Sequence, residues 1–251
     1  MSATATGLIV FACVFGGALL GIALRRMLPE QHLSTESKDV VKLGMGLLAT
    51  MAALVLSLLI ASAKSAYDAE RSEVTQLAAN VVLLDRVLAH YGPESKACRD
   101  LLRRYVASVL DQMWPQGGIG AAAFDLTTTG GDDLYEKIQA LSPQNEAQRL
   151  LRTDARQITV DLGRTRSLLL AQSGSTIPGP FLGILTFWVT VIFVSFGLFA
   201  PRNATVVATL LICALSVSGA VYLILELDQP FRGFIQVSSA PLRTALAHLG
   251  Q

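Results

Sequence analysis

Four stretches of this chain are free of charged side chains for long enough to cross a lipid bilayer, and nothing else in the sequence constrains its fold as tightly. Residues 7–24, 43–63, 181–200 and 204–225 contain no Asp, Glu, Lys or Arg. A helix rises about 1.5 Å per residue, so roughly 20 apolar residues cross the hydrocarbon, where unpaired charge is costly. Charges bracket each run: Arg25 and Arg26 follow the first, Lys42 and Lys64 flank the second, Arg202 separates the third from the fourth, and Glu226 and Asp228 close the fourth. With 52% hydrophobic and 16% charged residues, the composition fits a bilayer rather than one large soluble domain.

The first run is read as a retained span, because residues 1–6 lack the basic start of a secretory signal and the run ends in a double arginine. The same segment has no Arg-rich amphipathic character, so the expected address is a bacterial cytoplasmic membrane. Counting Lys and Arg near the span ends gives almost a tie between the two faces. Arg25-Arg26 alone favours an external N-terminus and an external middle region.

Between the second and third runs, residues 64–179 hold 13 of the 20 basic and 14 of the 19 acidic side chains. Val74, Leu77, Val81, Leu84 and Leu88 alternate in steps of three and four, the spacing of one apolar helical seam. That helix is expected to end at Tyr91, with Gly92 as its cap and Pro93 opening the next, which carries Leu101, Leu102, Tyr105, Val109 and Met113. Residues 115–131, with five glycines, read as a loop, followed by a short helix near 132–141. Ser142-Pro143 reads as the start of a helix to about Ala171, with Leu151, Ile158, Leu162 and Leu169 as its seam. Residues 174–180 read as a hinge into the third span. No polar break separates Leu43 from Tyr91, so the second span is expected to continue into the water-exposed bundle as one helix of about 49 residues.

The expected architecture is therefore an all-α membrane protein with four transmembrane helices in two pairs. A helical-bundle insertion lies between the second and third spans, and the second span is continuous with it. The domains are 1–63, with spans at about 7–24 and 43–63; a bundle at 64–179; 180–225, with spans at about 181–200 and 204–225; and a tail at 226–251.

Little in the chain points to catalysis. There is no GxxxxGK[ST], GxGxxG or GxSxG sequence, so no enzyme is expected. His32, His90 and His248 are scattered, and Cys13, Cys98 and Cys213 lack CxxC spacing, so neither a metal site nor a cofactor is expected. A net charge of +1 leaves no field to attract nucleic acid. The spans hold no ionisable group of the kind a proton relay uses.

One helical face stands out. Gly46, Thr50, Ala53, Ser57, Ala61 and Lys64 recur in steps of three and four and form a small, mildly polar stripe along the second span. Leu47, Leu54 and Leu58 lie to one side of it. Two readings stand side by side: the small residues permit close helix packing, as Gly17 and Gly21 do at GxxxG spacing, or they line an oligomeric pore in which the Thr50 and Ser57 hydroxyls replace ion hydration. Thr205, Thr209, Ser216 and Gly219 make a weaker stripe in the fourth span.

Two segments carry a family resemblance. The first runs Leu28-Pro29-Glu30-Gln31-His32-Leu33-Ser34, through Lys38-Asp39-Val40-Val41-Lys42-Leu43-Gly44, to Leu58-Leu59-Ile60-Ala61-Ser62-Ala63; the second is Glu226-Leu227-Asp228-Gln229-Pro230-Phe231. Both resemble the bacterial bestrophin-like membrane proteins, distantly similar to the pentameric bestrophin ion channels. The resemblance implies a homo-oligomer in the lipid bilayer, a pentamer by analogy, passing small ions along the face from Gly46 to Lys64. It also implies a tail segment of note at Glu226, Asp228, Pro230 and Phe231, and a cytoplasmic bundle, against the vote of Arg25-Arg26. The chain departs from the bestrophin pattern where Arg232-Gly233-Phe234 replaces the acidic cluster of calcium-responsive members, and in having no phenylalanine in the second span. The competing expectation is a membrane-anchored sensor or scaffold whose bundle binds a partner or ligand without conduction.

Overall fold

The computed structural model describes residues 2–27, 35–114, 130–172, 177–201, 203–231 and 233–250. The resemblance segment at 28–34 with His32, the glycine-rich loop at 115–129, the start of the hinge at 174–176, Arg202 and Arg232 lie outside these residues. Among the described residues the regular elements are all helical: α1 (Ala3–Leu24), α2 (Thr35–Tyr91), a 3-10 turn (Pro93–Ser95), α3 (Lys96–Met113), α4 (Gly130–Gln139), α5 (Glu146–Gln172), α6 (Gly179–Phe199), α7 (Ala204–Leu227) and α8 (Ala240–His248). Four of them, α1, α2, α6 and α7, are long and apolar enough to cross a membrane. The chain divides into two compact units, one of residues 1–66 and 175–235, the other of 67–174 and 236–251. One uninterrupted helix of 57 residues, α2, contributes to both.

In the first unit, α1 lies directly against α6. A Cβ added to Gly17 would sit 2.9 Å from Thr190 Cγ2; one on Gly21 would overlap the Val194 carbonyl oxygen and lie 2.9 Å from Leu198 N; one on Gly197 would overlap the Ala18 carbonyl oxygen. Backbones meet this closely only where side chains are absent, so the GxxxG spacing in α1 is a packing device. Residue numbers rise together along this contact, so α1 and α6 run parallel. A Cβ added to Gly7 would sit 3.3 Å from Tyr222 Cβ, so the start of α1 meets the end of α7 and the two are antiparallel. At the end of α6, the Arg25 guanidinium donates to the Ala200 carbonyl, satisfying an end-of-helix acceptor with a cation. The apolar core of the unit joins Val14 and Ala18 of α1, Ala52, Leu59 and Ala63 of α2, Leu185 and Phe193 of α6, and Ala214 and Val221 of α7.

In the second unit, the predicted seam of α2 is the buried one: Val74, Leu77, Val81, Leu84 and Leu88 are all buried. Leu102, Tyr105 and Val109 of α3, Leu134 and Ile138 of α4, and Leu162 and Leu169 of α5 are buried as well. Of the other residues expected on these seams, Leu101, Met113, Leu151 and Ile158 are half-buried.

Several boundaries differ from those read in the sequence. The short helix α4 spans Gly130–Gln139, two residues ahead of the expected 132–141, so the expected loop does not reach Gly131. Helix α2 begins at Thr35, ahead of Leu43, because the polar residues before the apolar run continue the helix without a breaker. Pro93 opens a 3-10 turn rather than α3 itself; Gly92 has φ +123°, and the buried Ser95 hydroxyl donates to the carbonyls of Leu88 and Gly92. The long helix starts at Glu146 and not at Ser142-Pro143. There the Asn145 side chain accepts from Gln148 N at 2.8 Å, while the Gln148 side chain accepts from Gln144 N at 2.8 Å and donates to the Tyr91 carbonyl at 2.9 Å. Asn145 is thus the N-cap, and the glutamine three residues on reaches back to the residue before the cap.

The segment after the fourth span contains α8, which periodicity did not reveal. This helix packs against α3, with Leu242 fully buried. Trp114 Nε1 donates to the Val237 carbonyl at 2.8 Å, and Gly250 N donates to Asp85 at 3.3 Å. Asp85 in turn receives Arg99 through two nitrogens at 2.7 and 2.9 Å, a planar fork on a carboxylate. The chain end is therefore fastened to the bundle by a strongly anchored acidic side chain.

Candidate functional site

The membrane part of α2 behaves differently from the other spans. Only 11% of its most apolar window is buried within the chain, against 28–33% for the other three. What it does bury is a single face. Ala52, Leu59 and Ala63 are buried, with Val55 and Leu56 packed beside them. At 3.6 residues per turn, this face points about 140° away from the stripe read in the sequence. All six stripe residues, Gly46, Thr50, Ala53, Ser57, Ala61 and Lys64, are exposed on the chain. Nothing lies within 4 Å of a Cβ built on Gly46, in contrast to Gly17 and Gly21 of α1. Close packing inside the chain therefore accounts for Gly17 and Gly21 of α1 and does not account for Gly46.

The two hydroxyls of the stripe are tied to their own helix. Thr50 Oγ1 donates to the Leu47 carbonyl at 2.7 Å, and Ser57 Oγ to the Ala53 carbonyl at 2.8 Å. Such back-bonding satisfies the proton locally and leaves the oxygen lone pairs facing outward. The parallel stripe in α7 does the same through Thr209 and Ser216, each bonded to the carbonyl four residues back. Lys64 marks the end of the charge-free run.

Beside the stripe, an open cleft of about 610 Å³ runs between α2, α6 and α7, lined by Lys42, Met45, Gly46 and Ala49 with Phe196 and Thr209 among the facing residues. Its lining pairs the early residues of α2 with the end of α6 and the start of α7. Helix α2 therefore runs antiparallel to α6 and parallel to α7. The chain accordingly leaves the first unit after Ala66 and re-enters it before α6 at one and the same end.

The tail residues form a second local structure. Glu226, Asp228 and Pro230 are buried and Phe231 is half-buried. Glu226 Oε2 accepts from Phe234 N at 2.6 Å, across a turn in which Gly233 has φ +94°. A Cβ at position 233 would overlap that same carboxylate oxygen. The Glu226 carboxylate thus organises the chain as it leaves α7, and Gly233 is required both by its left-handed backbone and by the space. The sequence reading named Glu226 as a tail residue and Gly233 only as part of the departure Arg232-Gly233-Phe234, although a glycine two residues after a Pro-Phe pair is itself a turn signal. The stripe and the tail residues occupy different stretches of the first unit.

A family model for the bestrophin-like domain matches residues 12–242, nearly the whole chain. The chain belongs to the bestrophin-like family. No curated protein and no solved structure matches it. For this bestrophin-like protein the four apolar helices and the family match agree on a membrane protein.

Proposed function

We propose that this bestrophin-like protein is a homo-oligomeric ion channel whose central path is lined by the membrane part of α2. The observation that carries the reading is the exposed stripe from Gly46 to Lys64, which faces away from the chain's own core and has no packing role within it. A pore wall needs small side chains to leave room and oxygen atoms to replace hydration, and the stripe supplies both. Because Thr50 and Ser57 have spent their protons on helix carbonyls, they present lone pairs, which favour a small cation over an anion. Helix α2 is shared with the bundle, so a ligand or partner acting on the bundle reaches the pore wall through one continuous helix.

The remaining features of the proposal follow the family. The assembly is a pentamer, the membrane is the bacterial cytoplasmic one, and the bundle and both termini share the cytoplasmic face. The common end at which the chain leaves and re-enters the first unit supports a single face for the insertion. The tail segment of Glu226, Asp228, Pro230 and Phe231 holds the exit of α7 in place.

The test is flux from liposomes carrying purified protein. Wild type is expected to pass ions, with a reversal potential under a KCl gradient on the cation side, and Thr50→Leu or Ser57→Leu is expected to reduce flux. Wild-type silence across voltage, pH and ion composition, from intact oligomers, overturns the channel and leaves the membrane-anchored scaffold.

A further inference from the structure

We propose that the cleft between α2, α6 and α7 is a binding site for an anionic glycerophospholipid of the surrounding membrane. The phosphate sits between Lys42 and the start of α7, and an ester carbonyl accepts a hydrogen bond from the Ser195 hydroxyl. The site goes beyond the channel reading and holds whether or not the protein conducts.

Ser195 sets this cleft apart from a plain apolar crevice. It is only 7% exposed and lines the cleft, yet among the described residues its hydroxyl has no hydrogen-bond partner. The other hydroxyls of α6 behave differently: Thr186 and Thr190 donate to the carbonyls four residues back, at 2.8 and 2.7 Å. Thr209, which lines the cleft from α7, does the same. A buried hydroxyl without a partner is costly, and more so at membrane depth. The side chains of Met45, Ile192, Phe196 and Leu210 offer it no acceptor, so the acceptor has to arrive with a ligand. Ser195 lies about 7.5 Å in from Ala200 along α6. A glycerophospholipid carries its ester carbonyls just inside its phosphate.

The mouth of the cleft suits an anion. Lys42, the last charge before the apolar run of α2, lines it, and Lys38 stands one turn ahead on the same helix. The exposed Asp39 carboxylate lies 3.6 Å from the Lys42 ammonium, an open pair of the kind that contributes little and yields to a stronger anion. On the facing wall, Thr205 and Val206 belong to the first turn of α7. Asn203 at the N-cap of this 24-residue helix makes no side-chain capping bond, so its first amides and the positive end of its dipole stand at the mouth. The opposing dipole, at the end of α6, is already answered by Arg25 on the Ala200 carbonyl. Basic pockets between membrane helices recognise anionic headgroups. From the mouth inward, cations, the deep hydroxyl and apolar walls follow the order of phosphate, ester and acyl chain. A free phosphate leaves Ser195 and the walls uncovered, and the single carboxylate of a fatty acid serves either the mouth or Ser195 but not both.

Lipid retention by the full-length protein, solubilised in detergent and weighed by native mass spectrometry, tests the site. The probes are phosphatidylglycerol, phosphatidylcholine with the same acyl chains, and the ether-linked analogue of phosphatidylglycerol, which lacks the ester carbonyls. Wild type is expected to hold phosphatidylglycerol about fivefold more tightly than either of the others, the worth of one cation at the headgroup or one hydrogen bond at the ester. Lys42→Ala should remove the headgroup preference, whereas Lys96→Ala, at an exposed lysine of α3, should not. Ser195→Ala should remove the preference for ester over ether and leave the headgroup preference in place. Equal retention of phosphatidylglycerol and phosphatidylcholine by wild type, or of ester and ether lipids, overturns the site without recourse to any variant. So does a Lys42→Ala protein that still selects the headgroup, or a Ser195→Ala protein that still selects the ester. Retention and flux are read separately. A silent protein with both preferences loses the channel and keeps the site, and a conducting protein with neither does the reverse.

Discussion

Adding one methyl group at Gly21 tests the close crossing of α1 and α6, and the structure supplies its own control. In Gly21→Ala, the new Cβ would lie 2.9 Å from Leu198 N, 0.5 Å inside the 3.4 Å at which ordinary contact begins, and its overlap with the Val194 oxygen is deeper. Both atoms are backbone, so no rotamer change relieves the clash and the helices must part by about 1 Å. A gap of that size forfeits about a quarter to a half of the dispersion attraction across the contact. Overpacking of this kind costs about 1–3 kcal/mol, and an unyielding backbone neighbour places the cost toward the upper end. Gly16→Ala, on the same helix, meets nothing within 4 Å. It is expected to be neutral or to gain up to about 1 kcal/mol from helix propensity. Thermal or denaturant unfolding of the two variants in the same detergent gives the comparison directly. If Gly21→Ala is as stable as Gly16→Ala, the parallel crossing described for α1 and α6 is wrong.

Asp85→Ala leaves the half-buried Arg99 guanidinium without its fork and Gly250 without its acceptor. It should cost about 2–4 kcal/mol of bundle stability and expose α8 to protease, while Asp85→Ala/Arg99→Ala should recover part of the loss in denaturant titrations. Gly233→Ala combines a left-handed backbone with overlap on Glu226; a loss of about 1–3 kcal/mol, read as a lowered melting temperature, is expected, and an unchanged one contradicts the turn. Burial raises the Tyr105 hydroxyl above its ordinary value, with the nearby Arg166 opposing more weakly. The folded state thus holds this proton more tightly, so the stability contribution is complete below the ordinary tyrosine pKa and is lost as pH rises through the raised one. Tyr105→Phe should flatten that alkaline loss in a pH series of unfolding midpoints. Burial likewise pushes the Cys98 thiol up, so maleimide should label it only after unfolding.

The spans and the α2 seam were legible because each is a local property. Whether residues 43–63 tolerate lipid, or whether Val74 and Leu88 share a face, depends only on composition and the helical repeat. The start of α5 was misplaced because two local signals competed. Ser142-Pro143 fits a helix start, but Asn145 with Gln148 forms the better one, and Gln148 is held further by the Tyr91 carbonyl, 57 residues away. Helix α8 was missed because nine residues are too few to show a repeat. Its place depends on Trp114 and Asp85, which lie far away in the sequence.

The sequence alone determined that lipid is the solvent for four helices and that α2 carries a small-residue face, since hydrocarbon rejects charge residue by residue and a helix repeats every few residues. It also determined the family. Only the tertiary structure decided which small residues serve the chain's own packing: Gly17 and Gly21 meet α6, and Gly46 meets nothing. The same GxxxG chemistry suits either role, and the difference lies in which backbone stands opposite. That is a relation between segments more than a hundred residues apart, and no local pattern records it.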